Sequence, residues 1–330
     1  MKNDNVLVTY KLFEGQHCET TATGNLLYHQ GITLSEPMMF GLSEGLGFIF
    51  LNLKSFNLPF VGGRTKPFEI TQKLCANLNL KLEAQETSSE SKAWENLLGP
   101  LKDGFPVGLQ LDSYYLDYFS SKVHFAGHAI ACFGIEGTHV LVMDTKQQGG
   151  KHKIALSDLK KARFAKGPMS AKARSWTIKA TSKKVSLNSA IQSAIRNNAN
   201  SYLNPEFKGM SYLGIEKLAK SLPKWLENAK NPEKDLTLQS LLMERAGTGG
   251  SIFRCFYRDF LQESSQILDT KKLKDAHVSF REIAEDWSQV ATLIGESGKN
   301  LTSPPLMKAS KICEALAVKE KLAMQKLGDI

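Results

Sequence analysis

Gly127-His128-Ala129-Ile130-Ala131-Cys132-Phe133-Gly134, then Ile135 to His139, then Val140 to Asp144, is a continuous stretch that reads as strand, turn and returning strand. The first run is small and apolar enough for a buried strand. Glu136-Gly137 supplies the turn, and Val140 to Met143 is a second β-type run. A turn centred near Glu136 makes positions 128 and 144 cross-strand neighbours, each eight residues from it. Directly opposite side chains of an antiparallel pair share a face within about 5.5 Å. The hairpin therefore sets a carboxylate beside an imidazole. There the acid can fix the ring's tautomer and stabilise its charged form while the other ring nitrogen takes a proton. A slip of one residue breaks this arrangement.

A thiol stands ready for such a base. In Gly15-Gln16-His17-Cys18-Glu19-Thr20-Thr21 the polar residues lead into an apolar helical pattern (Ala22, Leu26, Leu27) that ends near Gly31, so Cys18 falls at a helix N-terminus. Unpaired backbone N–H groups and the positive end of the helix dipole favour thiolate there. On position alone a buried, inert cysteine is the commoner outcome; the His128–Asp144 hairpin argues for a nucleophile. Its oxyanion could be met by the Cys18 backbone N–H or by the Gln16 side-chain amide.

Working outward, residues 1–182 read as mixed α and β. Short apolar runs (Val6 to Leu12, Gly47 to Leu53, Val107 to Leu111, Ala129 to Phe133, Val140 to Met143) alternate with helical segments (Cys18 to Tyr28, Pro67 to Leu78, Ser157 to Phe164). A last strand, Trp176 to Ile178, lies in the Lys/Ser/Ala-rich segment Ser170 to Lys184. Residues 183–330 turn helical in period: Leu187, Ile191 and Ile195, then Leu213 to Leu222, Leu236 to Arg245, Ile252 to Leu268, Leu273 to Leu293 and Pro305 to Leu327. The expected class is α+β, with an all-helical second domain.

Composition narrows the class. With 42% hydrophobic and 23% charged residues the chain is an ordinary globular one. Five scattered cysteines without a C-x-x-C pair argue against a disulfide framework or a thiolate zinc site and fit the cytoplasm. The opening MKNDNVLVTYK lacks the apolar run of a secretory signal, and Pro37 to Leu53 is too interrupted to span a membrane. The net charge of +9 is spread along the chain without interleaved aromatics, which disfavours nucleic acid and suits an acidic protein partner.

Other constellations are weaker. His124 and His128 lie four apart but in β-like, glycine-flanked sequence without the Glu of a zinc helix, so no metal site is expected. His17, His29, His139, His152 and His277 read as surface or structural residues. Asp112, Tyr114, Tyr115 and Asp117 fit either a cleft wall or an aromatic strand edge. Gly247-Thr248-Gly249-Gly250 before Phe253-Arg254 fits an anion site at a helix start or a plain helix corner.

Several of these motifs together resemble the family of butirosin biosynthesis protein H. They are His17-Cys18-Glu19-Thr20-Thr21, Leu34-Ser35-Glu36, Gly41-Leu42-Ser43-Glu44-Gly45-Leu46-Gly47-Phe48, Tyr114-Tyr115-Leu116, His124 to Ala129 and Val142-Met143-Asp144-Thr145. Gly247 to Gly250 with Phe253-Arg254 resembles the helical domain that accompanies it. The resemblance implies a papain-like cysteine peptidase-type N-terminal domain with chain order Cys, His, Asp. It implies an acyltransferase that takes an acyl group from the phosphopantetheine arm of an acyl carrier protein and passes it to an amine, with no cofactor of its own. Cys18 would carry the acyl group, His128 the proton, and Asp144 would orient the ring. His17, Glu44, Tyr114, Gly249 and Arg254 become candidate substrate contacts. Gln16 departs from the related bacteriocin-processing enzymes, whose oxyanion glutamine stands farther ahead of the cysteine. Hydrolysis by the same three residues is the rival activity, and a non-catalytic binding protein on the same fold is a third.

Overall fold

The computed structural model describes residues 5–53, 57–120, 122–167, 169–183 and 185–330; 1–4 of the opening segment and Lys184 of the Ser170–Lys184 segment lie outside the described residues. The protein is a mixed helix and antiparallel-sheet chain with a helical C-terminal region. It divides into two compact units, residues 1–39 with 67–185 and residues 40–66 with 186–330.

Nine strands are present among the described residues: β1 (Val6–Leu7), β2 (Leu46–Leu51), β3 (Phe60–Arg64), β4 (Lys81–Gln85), β5 (Val107–Leu111), β6 (His128–Glu136), β7 (His139–Met143), β8 (Lys151–Ala155) and β9 (Ser175–Lys179). In the first unit they form an antiparallel sheet in the order β4-β9-β5-β6-β7-β8, and β1 pairs with the far end of β6. The strands β5 to β8 supply Leu109, Ile130, Cys132, Val140, Val142 and Ile154 to one core cluster. It also takes Leu97 and Leu101 from helix Glu90–Lys102 and Leu159 from helix Leu156–Phe164. Helix α1 (Cys18–His29) packs against β6 and β5.

The β6–β7 hairpin closes on Gly137-Thr138, between the paired Glu136 and His139, and not on Glu136. Gly137 has φ +57°, the left-handed conformation that the first residue of a two-residue hairpin loop requires. The ladder runs Glu136↔His139, Ile135↔Val140, Gly134↔Leu141, then shifts at Phe133 and resumes as Cys132↔Val142 and Ala131↔Met143. Phe133 is thus the extra residue of a β-bulge; its carbonyl accepts from the Val8 N–H at 2.8 Å.

The second unit holds helices Leu187–Leu203, Ser211–Ser221, Pro232–Arg245, Arg254–Leu268, Lys271–Asn300 and Pro304–Gly328. The β2–β3 ribbon belongs to it, which corrects its expected place in the first domain. The reason is aromatic packing: Phe48 stacks on Trp287 at 5.4 Å and Phe40 on Phe253 at 5.5 Å, while the Phe50 N–H donates to the Gly209 carbonyl. Among the described residues no helix is long and apolar enough to cross a membrane.

Candidate active site

The His17 ring caps α1, its Nδ1 accepting from the Thr20 N–H at 3.4 Å. Cys18 is therefore the first helical residue, as the polar-to-apolar switch after Gln16 predicts. The helix is buried from Cys18 to Leu27, so its polar side chains must find partners. Glu19 accepts from the Phe68 N–H at 2.9 Å and from the Thr71 N–H at 3.0 Å. The Asn25 amide binds Phe13 through both its N–H and its carbonyl. The Glu36 carboxylate, itself buried, accepts from the Gln16 N–H (2.8 Å), the His17 N–H (2.8 Å) and the Thr20 hydroxyl (2.7 Å). Burial raises the Glu36 pKa against the pull of these donors. No acceptor stands against the Cys18 N–H among the described residues.

His128, the first residue of β6, lies opposite Leu111. Continuing the register one step past Ala131↔Met143 puts Asp144 across from Ile130, and not across from His128 as a turn centred on Glu136 predicts. Residues 128 and 130 share a face, so His128 and Asp144 are diagonal neighbours, still within reach of long side chains. His128 Nε2 lies 2.7 Å from Asp144 Oδ2, with both residues buried. Against an ionised carboxylate Nε2 must donate, which leaves Nδ1 for the thiol. Burial opposes charge on the ring. The Asp144 carboxylate outweighs it, Cys18 adds hydrogen-bond and charge contact in the same direction, and the imidazole is pushed up to about 10. Burial likewise raises the Asp144 pKa, but His128, the Thr145 N–H and the Tyr118 hydroxyl hold it below the usual carboxylate range.

These shifts imply a pH-dependent stability. A raised histidine pKa contributes fully below the free imidazole's 6.5 and is lost as pH rises through about 10. The urea-midpoint difference between wild type and His128→Gln should be greatest below about pH 6.5 and narrow steadily towards pH 10. A difference that stays constant over that range would contradict a charged, acid-paired His128.

The structure brings Cys18, His128 and Asp144 together in the first unit. Gln16 is exposed and tied down by its backbone, so the Cys18 N–H is the better sheltered of the two oxyanion candidates. His17 acts as a helix cap. Tyr114 is partly exposed and its ring stacks on His124 at 4.0 Å, while buried Asp112 holds the Tyr114 N–H and the His124 Nδ1.

Glu44, Gly249 and Arg254 belong to the second unit. Glu44 is buried and accepts from the Asn197 amide at 3.0 Å. Gly249 has φ +66°, and a Cβ there would meet the Phe256 ring at 2.7 Å. Arg254, first read as an exposed anion ligand or corner residue, is instead completely buried. It pairs with Glu320 through Nε (2.9 Å) and a terminal nitrogen (2.8 Å), and its remaining donors reach the Ile252 and Gly63 carbonyls. Its charge is answered inside the unit, so it has no donor to offer an outside anion.

Two residues escaped the sequence reading, and a third, Glu36, entered it only as part of a motif with no role. Tyr118 donates to Asp144 Oδ2 at 2.7 Å, Phe119 meets the His128 ring edge-on at 5.1 Å, and Glu36 holds the turn before the thiol. The aromatic cluster Tyr114-Tyr115-Leu116-Asp117-Tyr118-Phe119, so close ahead of His128, was the signal available for the first two.

Two family models match the chain. One described as butirosin biosynthesis protein H, N-terminal, covers residues 17–145. One described as a domain of unknown function (DUF4872) covers residues 157–327, more than half of the chain. No curated protein matches it.

Proposed function

Since the chain belongs to the butirosin biosynthesis protein H family, we propose that it is a cysteine-dependent acyltransferase of papain-like fold. In this reading it moves an acyl group from a carrier-protein thioester to an amine. The observation that carries it is the buried His128–Asp144 pair, with the Cys18 thiol against the same ring. A nucleophile at the head of a helix, packed on an antiparallel sheet that delivers the base and then the acid, supports the papain-like assignment.

The chemistry runs in two exchanges. The second proton of the charged His128 ring, on Nδ1, is the one given up by the Cys18 thiol, so Sγ attacks the thioester carbonyl as thiolate; the tetrahedral oxyanion is met by the Cys18 N–H. The carbon–sulfur bond to phosphopantetheine breaks, and the departing thiolate takes the proton from His128. An amine then attacks the acyl-cysteine, a carbon–nitrogen bond forms, Cys18 Sγ leaves as thiolate, and the amine's proton passes to His128, which restores the starting pair. Thioester exchange costs little, and amide formation drives the second half. The donor arm arrives on the carrier protein, so the chain needs no bound cofactor, and a +9 charge suits an acidic carrier. Five free cysteines suit the cytoplasm. We assign Gln16, His17, Glu44, Tyr114, Gly249 and Arg254 no direct step: each has a structural duty or, for Gln16, an exposed side chain.

The test is intact-mass analysis after incubation with acylated carrier protein. Wild type is expected to gain the mass of the acyl group, Cys18→Ala none, and the adduct should persist until an amine is added. Rapid loss to water in the absence of amine would make the protein a hydrolase built on the same three residues. An adduct that survives Cys18→Ala would refute the assignment.

A further inference from the structure

Asp144 has two side-chain donors on one oxygen, and only one of them belongs to the acyl-transfer scheme. Tyr118 donates its hydroxyl to Oδ2 at 2.7 Å, the same atom that receives His128 Nε2, while Oδ1 takes the Thr145 N–H at 2.6 Å. We infer that Tyr118 is a positioning residue, which holds the Asp144 carboxylate against the His128 ring and moderates the basicity that Asp144 confers on it. This rests on the acyltransferase reading for its consequence in catalysis.

The geometry is built rather than incidental. Tyr118 lies in the segment between β5 and β6, and Asp112 closes that segment at its base by accepting from the Tyr114 and Phe125 N–H groups at 3.0 and 2.9 Å. Leu116 is fully buried, and its carbonyl takes the Lys122 ammonium at 2.9 Å. The phenol ring lies flat on His152 at 3.7 Å with planes 4° apart, and His152 Nε2 donates to the Gln148 carbonyl at 2.7 Å. Phe119, the next residue, fills the edge of the His128 ring. The hydroxyl is thereby aimed at one carboxylate oxygen with little freedom to leave it.

Its protonation suits the task. Burial, then the neighbouring Asp144 charge, raise the Tyr118 pKa far above the ordinary phenol value, so it remains a donor throughout the working pH range. The titratable groups against His128 are Asp144 and Cys18; those against Tyr118 are Asp144, Asp117 and the stacked His152. A hydrogen bond donated to Asp144 withdraws negative charge from the oxygen that faces the ring, and this lowers the histidine's affinity for its proton. Without it, His128 holds its proton more tightly and gives it up less readily to the departing thiolate.

The experiment is an NMR titration of the His128 ring nitrogens in wild type and Tyr118→Phe, run beside the pH profile of acyl transfer. Loss of the hydroxyl should move the His128 pKa, and the alkaline limb of the profile, upward by about half a unit or more. In an Asp144→Asn background the same substitution should move neither. Placing 3-fluorotyrosine at position 118 keeps the ring and hydroxyl but makes a stronger donor, so it should shift His128 the opposite way. A His128 titration unmoved by both changes, or moved equally without Asp144, overturns the inference. A shifted His128 in a protein that never forms acyl-Cys18 upholds the coupling and removes the acyl reading instead. An adduct with no shift does the reverse.

Discussion

Iodoacetamide should modify Cys18 ahead of the other four thiols, and His128→Ala should slow that reaction by about 10²–10⁴-fold, the usual contribution of a positioned base. Burial by itself ranks the thiols differently. Cys255 is the most accessible, half-buried with its sulfur 3.4 Å from the Ser251 hydroxyl, whereas Cys18 is only 9% exposed. The remaining three are protected twice over. They are buried, and desolvation pushes Cys75 and Cys132 up to about 12 and Cys313 higher still. Among the described residues Cys18 is the thiol set against an imidazole, that of His128. Peptide mapping after brief labelling checks the order, and stopped-time labelling of the variant checks the rate. Slow, equal labelling of all five, or a Cys18 rate indifferent to His128, would show that the pair does not activate sulfur.

The second large effect lies in the helical unit. Glu320→Ala should cost about 3–5 kcal/mol of stability, the range for removing one partner from a buried ion pair. Glu320 is fully buried, accepts from Arg254 Nε and a terminal nitrogen, from the Trp287 indole at 2.6 Å, and from the Tyr202 hydroxyl. Deleting it strands an arginine, an indole and a phenol at once. Burial opposes the Arg254 charge, and Glu320 is what sustains it. The double variant Arg254→Met/Glu320→Leu removes both charges together and should lose far less than the sum of the single changes. Urea unfolding measures both. A loss below about 1 kcal/mol for Glu320→Ala would mean that water reaches the stranded groups.

What could be read from the sequence follows from where the local signal agreed with the global fold. Helix α1 was legible because a capping cluster precedes an apolar pattern, and β5 because Val107 to Leu111 is an uninterrupted buried run. The long helices were found by period, though their ends ran on: Leu273 to Leu293 is the interior of Lys271–Asn300. Strands β4 (KLEAQ) and β8 (KHKIA) were not singled out, since each is an edge strand with mostly polar side chains. Helix Glu90–Lys102 was not singled out; it carries Gly99 and Pro100 near its end and stops two residues after the proline. Val6 to Leu12 reads as a longer run, but the ladder on β6 takes in Val6 and Leu7, with one further bond from the Val8 N–H to the Phe133 carbonyl. No local pattern could say that residues 40–66 would pack with helices that begin far along the chain, because aromatic partners such as Phe48 and Trp287 meet only in three dimensions. The pairing of His128 with Asp144 was legible from residue types and the hairpin pattern. Glu36 and Tyr118 were not, because their partners are backbone groups and a carboxylate distant in sequence.

The bulged Phe133 decides on which side of the sheet the acid emerges. Counted inward from Glu136↔His139 without interruption, the ladder would bring Asp144 across from Ala131, whose side chain points away from the imidazole. The one unmatched residue changes odd to even and carries the carboxylate through to the histidine's side. Had Phe133 paired like its neighbours, imidazole and carboxylate would stand back to back with a layer of backbone between them.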